Sequence, residues 1–277
     1  MNVSAKLVLA ERGLRPKSSF GQNFLQDEKL CARLAELAAP RGAAVLEFGA
    51  GLGALTAPLL ERAAHVIAVE RDRDLLPLLE EKFAAEIASG KLTLLEADAK
   101  AIDPAAVLAG YARPRVLAGN LPYNITGPLL EKAVHASRAI DRVVYLVQLE
   151  VADRLAARAG QEAYGALSVF VQAAFRVERA LVVRRGAFYP QPRVDSAFVV
   201  FEPHAVPVSE ETETFRSLVR GAFGQRRKKL RNAWHAVSGA SAERLADAAA
   251  RAGINLDDRG ETLSVEAFAA MARELDR

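Results

Sequence analysis

Leu46-Glu47-Phe48-Gly49-Ala50-Gly51-Leu52-Gly53 runs from the end of an apolar stretch, through a glycine-rich turn, into a helix predicted to start near Ala54. Ala44–Phe48 reads as a strand. The glycines let the backbone turn tightly and approach a ligand closely in front of the helix start. Glu70 ends the next β-rich run, His65–Val69, 21 residues beyond Gly49. A carboxylate at that position can accept hydrogen bonds from ribose hydroxyls. Motif, strand context and acid together predict a nucleoside site at the head of a parallel sheet.

Working outward, further β-rich runs alternate with helical stretches, as in a sheet covered by helices on both faces. They are Lys91–Leu95, Arg115–Ala118, Arg142–Val147, Arg176–Val183 and Ala197–Phe201, giving seven predicted strands with the first two. No long helical stretch separates the last two, so they are expected to form a hairpin on an otherwise parallel sheet. Pro203 and Pro207 mark a boundary, with Ser209 as the expected N-cap of the next helix. Helical periodicity over 210–223, 226–237, 241–252 and 264–275 then predicts a small all-α domain. The expected division is 1–205 and 206–277.

Hydrophobic residues make up 51% and charged residues 26% of the 277, ordinary for a globular protein. The apolar runs are too short to span a bilayer and the N-terminus lacks a secretory-signal pattern, so a cytoplasmic protein with no membrane partner is expected. One cysteine, Cys31, excludes an intrachain disulfide and a cysteine-rich metal site. His65, His135, His204 and His235 show no ligand spacing, so no metal is expected. The net charge is only +3, but Arg216, Arg220, Arg226, Arg227, Lys228, Lys229 and Arg231 fall in one stretch without an acidic residue. Such a stretch repels itself unless an anion lies against it, which predicts phosphate binding.

The predicted fourth strand runs into Gly119-Asn120-Leu121-Pro122-Tyr123-Asn124. An exocyclic adenine amine is a poor nucleophile because its lone pair is delocalised into the ring. The side-chain carbonyl of Asn120 and the main-chain carbonyl of Leu121 could accept its hydrogens and offset the positive charge that develops on nitrogen. Pro122 stiffens the loop and Tyr123 offers a face for stacking a base. Asp98, at the end of the third strand, either accepts from an adenine amine or caps a helix. Gly49, Gly51 and Ala54 also satisfy the dinucleotide pattern G-x-G-x-x-A, which keeps a dehydrogenase open; against it, an amide stands where hydride transfer usually needs a proton donor or acceptor.

Taken together, these motifs resemble the small-subunit ribosomal RNA adenine N6,N6-dimethyltransferases, the KsgA/RsmA type. The resemblance rests on Lys17-Ser18-Ser19-Phe20-Gly21-Gln22-Asn23-Phe24-Leu25, Glu47–Gly51, Glu70, Asp98, Asn120–Tyr123, Phe188–Ser196 and Phe223–Asn232 in that order, over nearly the whole chain. It implies a Rossmann-like class I methyltransferase using S-adenosyl-L-methionine, with residues 1–40 covering cofactor and RNA. It also implies that Gln22, Asn23 and Leu25 close over the cofactor, Leu25 through its backbone. Gly49 and Gly51 would pass its methionine and ribose, Glu70 would hold the ribose, Asp98 would read its adenine, and Asn120 would stand at its reactive end. Asn120 and Leu121 would hold the target amine, with Tyr123 and Phe188 sandwiching the target adenine.

The implied reaction is dimethylation of two adjacent adenosines in the 3′-terminal hairpin loop of small-subunit (16S) RNA, within ribosome biogenesis. The implied partner is the small subunit, through Arg226, Arg227, Lys228, Lys229 and Arg231, and a monomer is expected. Two alternatives stay open. The Erm-type enzymes, which modify large-subunit RNA, resemble this family up to the aromatic sandwich but not through Phe223–Asn232. An assembly or nucleic-acid-binding factor without catalysis should show erosion at Glu70, Asn120, Tyr123 or the glycines, and none is eroded.

Overall fold

The computed structural model describes residues 4–225 and 227–277. In chain order its strands are β1 (Phe24–Leu25), β2 (Ala44–Phe48), β3 (His65–Glu70), β4 (Leu92–Glu96), β5 (Arg115–Asn120), β6 (Arg142–Gln148), β7 (Phe175–Val183), β8 (Phe188–Tyr189) and β9 (Ser196–Pro203). The helices are α1 (Ala5–Glu11), α2 (Glu28–Ala38), α3 (Thr56–Arg62), α4 (Leu76–Lys82), α5 (Ala84–Ala88), α6 (Pro104–Leu108), α7 (Thr126–His135), α8 (Leu149–Ala156), α9 (Ala166–Ala174), α10 (Glu213–Gly224), α11 (Leu230–Ser238), α12 (Ala242–Ala252) and α13 (Val265–Asp276). Two compact units emerge, Met1–Ala152 with Glu178–Pro203, and Asp153–Val177 with His204–Arg277.

A seven-stranded sheet of order β4-β3-β2-β5-β6-β9-β7 carries the first unit. β2 is buried along its whole length, as expected for an apolar strand covered on both faces. It pairs in parallel with β3 on one side and β5 on the other, while β6 and β9 are antiparallel. The chain builds outward from β2 through β3 to β4, then returns to lay β5 on the opposite side of β2. Strand order therefore reverses between β2 and β5, and a crevice opens beyond their C-terminal ends. Gly49 follows one strand there and Asn120 ends the other.

α2 is started by Asp27, whose carboxylate accepts from the N–H groups of Lys29 and Leu30 at 3.0 and 3.1 Å. It buries Leu34, Ala35 and Ala38 in the core that also takes Leu59 of α3 and Leu79 of α4. Full burial of each leucine is worth roughly 1.5–3 kcal/mol. Helix α3 begins at Thr56, two residues beyond the predicted start, because Gly51–Leu55 are spent in turns. The pair β1 and β8 forms a separate two-stranded sheet that the sequence reading did not anticipate.

The second unit packs α9 and α10–α13 around Trp234 and Phe268, both fully buried. Trp234 Nε1 donates to the carbonyl of Leu218 at 2.9 Å, which satisfies its one polar atom. This unit includes Asp153–Val177, whereas the sequence reading placed everything before residue 206 in the first domain. Two details of its helices also differ from expectation. Thr212, not Ser209, caps α10, its hydroxyl accepting from Phe215 N at 3.1 Å. The helix expected from 226 starts at Leu230, so Arg227–Lys229 lie in a turn ahead of it. Among the described residues no helix is long and apolar enough to cross a membrane.

Candidate active site

The crevice at the strand reversal is walled by residues 19–24, by Phe48, Gly49 and Gly51 after β2, by Glu70 and Arg71 after β3, by Ala97–Ala99 after β4, and by residues 120–125 after β5. A second lobe lies along the glycine turn and α2, lined by Leu25, Gln26, Gly49–Leu55 and Lys82; the two lobes share Phe24, Gly49, Gly51 and Asn120. The glycine turn is tied back to β3, with the N–H groups of Gly49 and Ala50 both donating to Val69 O at 2.9 and 3.2 Å. Gly51 has φ +57°, and a Cβ there would stand 3.2 Å from the Phe24 ring. The turn therefore strongly favours glycine, and it leaves bare backbone facing the crevice.

Glu70 is 7% exposed and holds this geometry together. Its Oε2 accepts from Gly51 N at 2.8 Å, while Oε1 accepts from Arg71 N and Asp72 N at 2.9 and 2.8 Å. Burial pushes its pKa up, and the three backbone donors only partly oppose this. A carboxylate offers about four acceptor positions. Oε2 thus keeps one acceptor position for a ribose hydroxyl, and taking both hydroxyls of a ribose would displace a backbone donor.

Asp98 acts as a cap, one of the two readings given to it. Its Oδ1 caps the short turn Ala99–Ala101 through Lys100 N at 2.9 Å, and its Oδ2 lies 3.3 Å from Arg71 Nη1 on the crevice wall. Gln22 lines the crevice with both ends of its amide engaged. Its Oε1 accepts from Lys17 N at 2.7 Å and its Nε2 donates to Asp72 at 2.7 Å, so it anchors the covering segment to the β3 loop. Leu25 lines the second lobe, buried and paired through its backbone with Phe188.

At the end of β5 the amide of Asn120 is oriented by the covering segment. Its Nδ2 donates to the carbonyl of Asn23 at 2.9 Å, and this turns Oδ1 away from that contact. Asn23 in turn donates its own Nδ2 to Gly21 O at 3.1 Å. The carbonyl of Pro122 is taken by Ile125 N at 3.1 Å and Thr126 Oγ1 at 3.3 Å, which leaves Asn120 and Leu121 as the loop's candidates for receiving an amine. Tyr123 is half-buried with its hydroxyl 3.1 Å from Ser196 Oγ, and burial raises its pKa, so it is a neutral ring on the wall.

Phe188, expected from the resemblance to sandwich the target adenine with Tyr123, is buried in the structure. It is 3% exposed, packed in the core with Leu25 and Phe198, and it has no face to offer a base in this arrangement. The β1–β8 pairing holds it there. Conversely, the structure adds residues that motif reading left without a role. Phe20 stands on the crevice wall with Arg71 Cζ 4.9 Å and Lys17 Nζ 5.5 Å from its ring centroid. Gly119 lets β5 approach β2, since a Cβ there would lie 2.6 Å from Phe48 O. A glycine directly before the Asn120 motif was the available signal.

The site's geometry meets its counterpart in sequence comparison. The profile of the ribosomal RNA adenine dimethylases matches residues 13–277. The chain belongs to the ribosomal RNA adenine dimethylase family. Among dimethylases of known name, the ribosomal RNA small subunit methyltransferase A of Anaeromyxobacter sp. (strain K) is 44% identical over 283 residues, covering 98% of both chains. That of Geobacter sulfurreducens is 40% identical, covering 95% of this chain and 96% of its own. Of solved structures, the 23S rRNA methyltransferase ErmE superimposes with TM-score 0.71 at 28% identity over 92% of this chain and 100% of its own. A dimethyladenosine transferase from Plasmodium falciparum shares the fold at TM-score 0.73 and 22% identity, over 90% and 95%. The dimethylase profile reaches through the helical C-terminal residues, so the family assignment covers both units.

Proposed function

We propose that this dimethylase transfers methyl groups from S-adenosyl-L-methionine to the exocyclic N6 amines of two adjacent adenosines in the 3′-terminal hairpin loop of small-subunit (16S) ribosomal RNA, as a monomer in the cytoplasm during subunit assembly. The observation that carries this reading is Asn120. It ends β5 at the strand reversal, and its Nδ2 is committed to Asn23 O, leaving Oδ1 as the end available to an amine. The bare glycine turn at Gly49–Gly51, the open acceptor position on Glu70 and the carboxylate of Asp98 fit a nucleoside with a short amino-acid tail. S-adenosylmethionine supplies a methyl group on a sulfonium, an already activated leaving group.

With the leaving group activated, the protein's task is to place and desolvate the amine and stabilise the charge it acquires. Asn120 Oδ1 and the Leu121 carbonyl accept the amine hydrogens and draw its lone pair out of conjugation. Tyr123, fixed through Ser196, offers a stacking face for a base that has left its helix, a step costing a few kcal/mol and favouring loops over duplexes. The small-subunit choice follows the relatives so named at 40–44% identity over nearly their whole length, against 28% for the large-subunit enzyme.

The test is transfer of labelled methyl to small subunits lacking the 3′-terminal adenine dimethylation, with large-subunit RNA alongside. Label recovered as dimethyladenosine in the small subunit alone is the expected result. Label in the large subunit would move the assignment to the Erm type, and binding without label would make the chain an assembly factor. Asn120→Ala should lower kcat about 10²–10³-fold, the scale of losing one stabilising group, while small-subunit binding persists.

A further inference from the structure

We propose that Arg184, Arg185 and Arg193 form a second RNA-contact rim, on the edge of the sheet beside Tyr123, that grips phosphates flanking the target adenosine. The proposal rests on the dimethylase function proposed for the chain and assigns a surface to it. β7 is the outermost strand on its side of the sheet, adjacent to β9. The segment joining them carries three arginines and one acid between Leu181 and Asp195. Asp195 folds this segment into a rim. Its Oδ2 accepts from Arg184 Nη1 and its Oδ1 from Arg185 N, at 2.8 and 2.9 Å.

The ion pair with Asp195 accounts for one arginine. Arg185 adds its charge to the field that lowers the Asp195 pKa but makes no ion pair with it, and the side chains of Arg185 and Arg193 are both exposed. Val182 and Val194, in the same stretch of sequence, are exposed too, apolar surface suited to sugar and base edges rather than to water. The next residue along β9, buried Ser196, holds the Tyr123 hydroxyl at 3.1 Å. A short chain of contacts therefore joins the rim to the stacking face: Arg184 and Arg185 to Asp195, then Ser196, then Tyr123. A base can be presented to Tyr123 only if its backbone is held nearby, and phosphate contacts set that register without reading sequence. Exposed guanidinium groups on a segment linked through Ser196 to a crevice-lining tyrosine suit a polyanion. The competing role for them is protection of a sheet edge against pairing with another chain.

The experiment compares wild type with Arg185→Ala/Arg193→Ala, leaving Arg184 to hold Asp195. Binding to unmethylated small subunits is followed from 50 to 250 mM KCl, and cofactor affinity is measured in parallel to show that the fold is intact. Each lost phosphate contact should reduce the slope of log K against log salt by about 0.7–0.9, so the double variant should lose roughly 1.4–1.8. KM for the subunit should rise, kcat at saturation should hold, and Arg185→Lys/Arg193→Lys should restore most of the slope. An unchanged slope, or weaker binding at the same slope, would overturn the rim and leave edge protection as its role. If the wild-type chain itself neither bound nor methylated small subunits, the proposed function would fall first, a result readable without any variant.

Discussion

Glu47 sits in the middle of the glycine motif yet touches no solvent. In register it lies beside Ala68 of β3 and Ala118 of β5, and those small neighbours leave space for a carboxyl within the sheet. Thr56 donates its hydroxyl to Oε2 at 2.7 Å, while Oε1 has no partner among the described residues. Burial is the main cause pushing its pKa from 4.5 to about 8; the Thr56 hydrogen bond opposes this and the charge of Glu70 adds to it. Glu47 is thus protonated at neutral pH, which spares Glu70 a like charge behind the glycine turn. Because the folded pKa lies above the unfolded one, this group's contribution to stability is complete below about pH 4.5 and declines as pH rises toward 8. Glu47→Gln should remove that decline, flattening the stability profile by up to about 1.4 kcal/mol per pH unit across this window. Urea unfolding at a series of pH values is the check, and a variant that kept the wild-type slope would assign it to another group. The sequence shows Glu47 only as part of a motif, since neither its alanine neighbours nor its burial can be read from spacing along one strand.

Among the elements, the covering segment is held by contacts far from it in sequence. The structure ties residues 17–24 down through Asp72, which is 2% exposed. Lys17 Nζ reaches Asp72 and also Asp74, Gln22 Nε2 reaches the other Asp72 oxygen at 2.7 Å, and Asp74 N adds a backbone donor at 3.2 Å. Burial alone would raise the Asp72 pKa, but Lys17, Gln22 and the Asp74 N–H together hold it below the usual carboxylate range. A depressed carboxyl stabilises above its unfolded pKa and loses that contribution as pH falls, so this latch should loosen in acid. Asp72→Asn loses the ion pair and turns an amide N–H₂ toward one of the donors. At roughly 1.5–3 kcal/mol for hydrogen bonds to a charged group, the amides of residues 20–24 should exchange about 10–100-fold faster, with cofactor affinity falling alongside. Unchanged exchange over 20–24 would show that Asn23–Asn120 and the β1–β8 pairing hold the segment unaided. The strands, the crevice and the positions of Glu70, Asp98 and Asn120 were legible because each lies at a strand end at fixed spacing. Asp72 with Gln22, and Ser196 with Tyr123, were not, because these partners lie 50 and 73 residues apart in sequence. The burial of Phe188 was not legible either. Its motif marks it as a base-stacking residue, but the two-residue pairing with Leu25 that buries it leaves no periodic signal.

At the scale of the whole molecule, two cores divide the chain, and the division is less simple than one boundary near residue 205. Residues 166–174 fall inside the expected first domain, 1–205, between two β-rich runs of its sheet. Contacts decide otherwise: Tyr164 donates its hydroxyl to Leu263 O at 2.9 Å, 99 residues later, and Val169 and Ala173 pack into the core of Phe215 and Trp234. Long-range packing also revises the basic stretch. The sequence shows no acid between Arg216 and Arg231, yet folding brings Asp257 to Lys229 at 2.9 Å and to Arg231 at 2.7 Å. Both cations draw the Asp257 carboxyl below its usual range. Arg226 lies outside the described residues. The footprint first read as five cations is therefore best tested at Arg227 and Lys228, which are exposed in the turn before α11 and meet no acid among the described residues. Arg227→Ala/Lys228→Ala should weaken small-subunit binding and reduce its salt slope by about 1.4–1.8, leaving stability within about 0.5 kcal/mol of wild type. Lys229→Ala/Arg231→Ala should behave differently. Freed of its partners, Asp257 returns a negative charge to the same turn, so affinity falls further than two lost contacts explain. The two double variants, titrated side by side against small subunits and checked by thermal unfolding, distinguish cations free to meet phosphate from cations that hold the turn. Equal slopes and equal affinities for both pairs would mean that Asp257 does not partition the patch in solution.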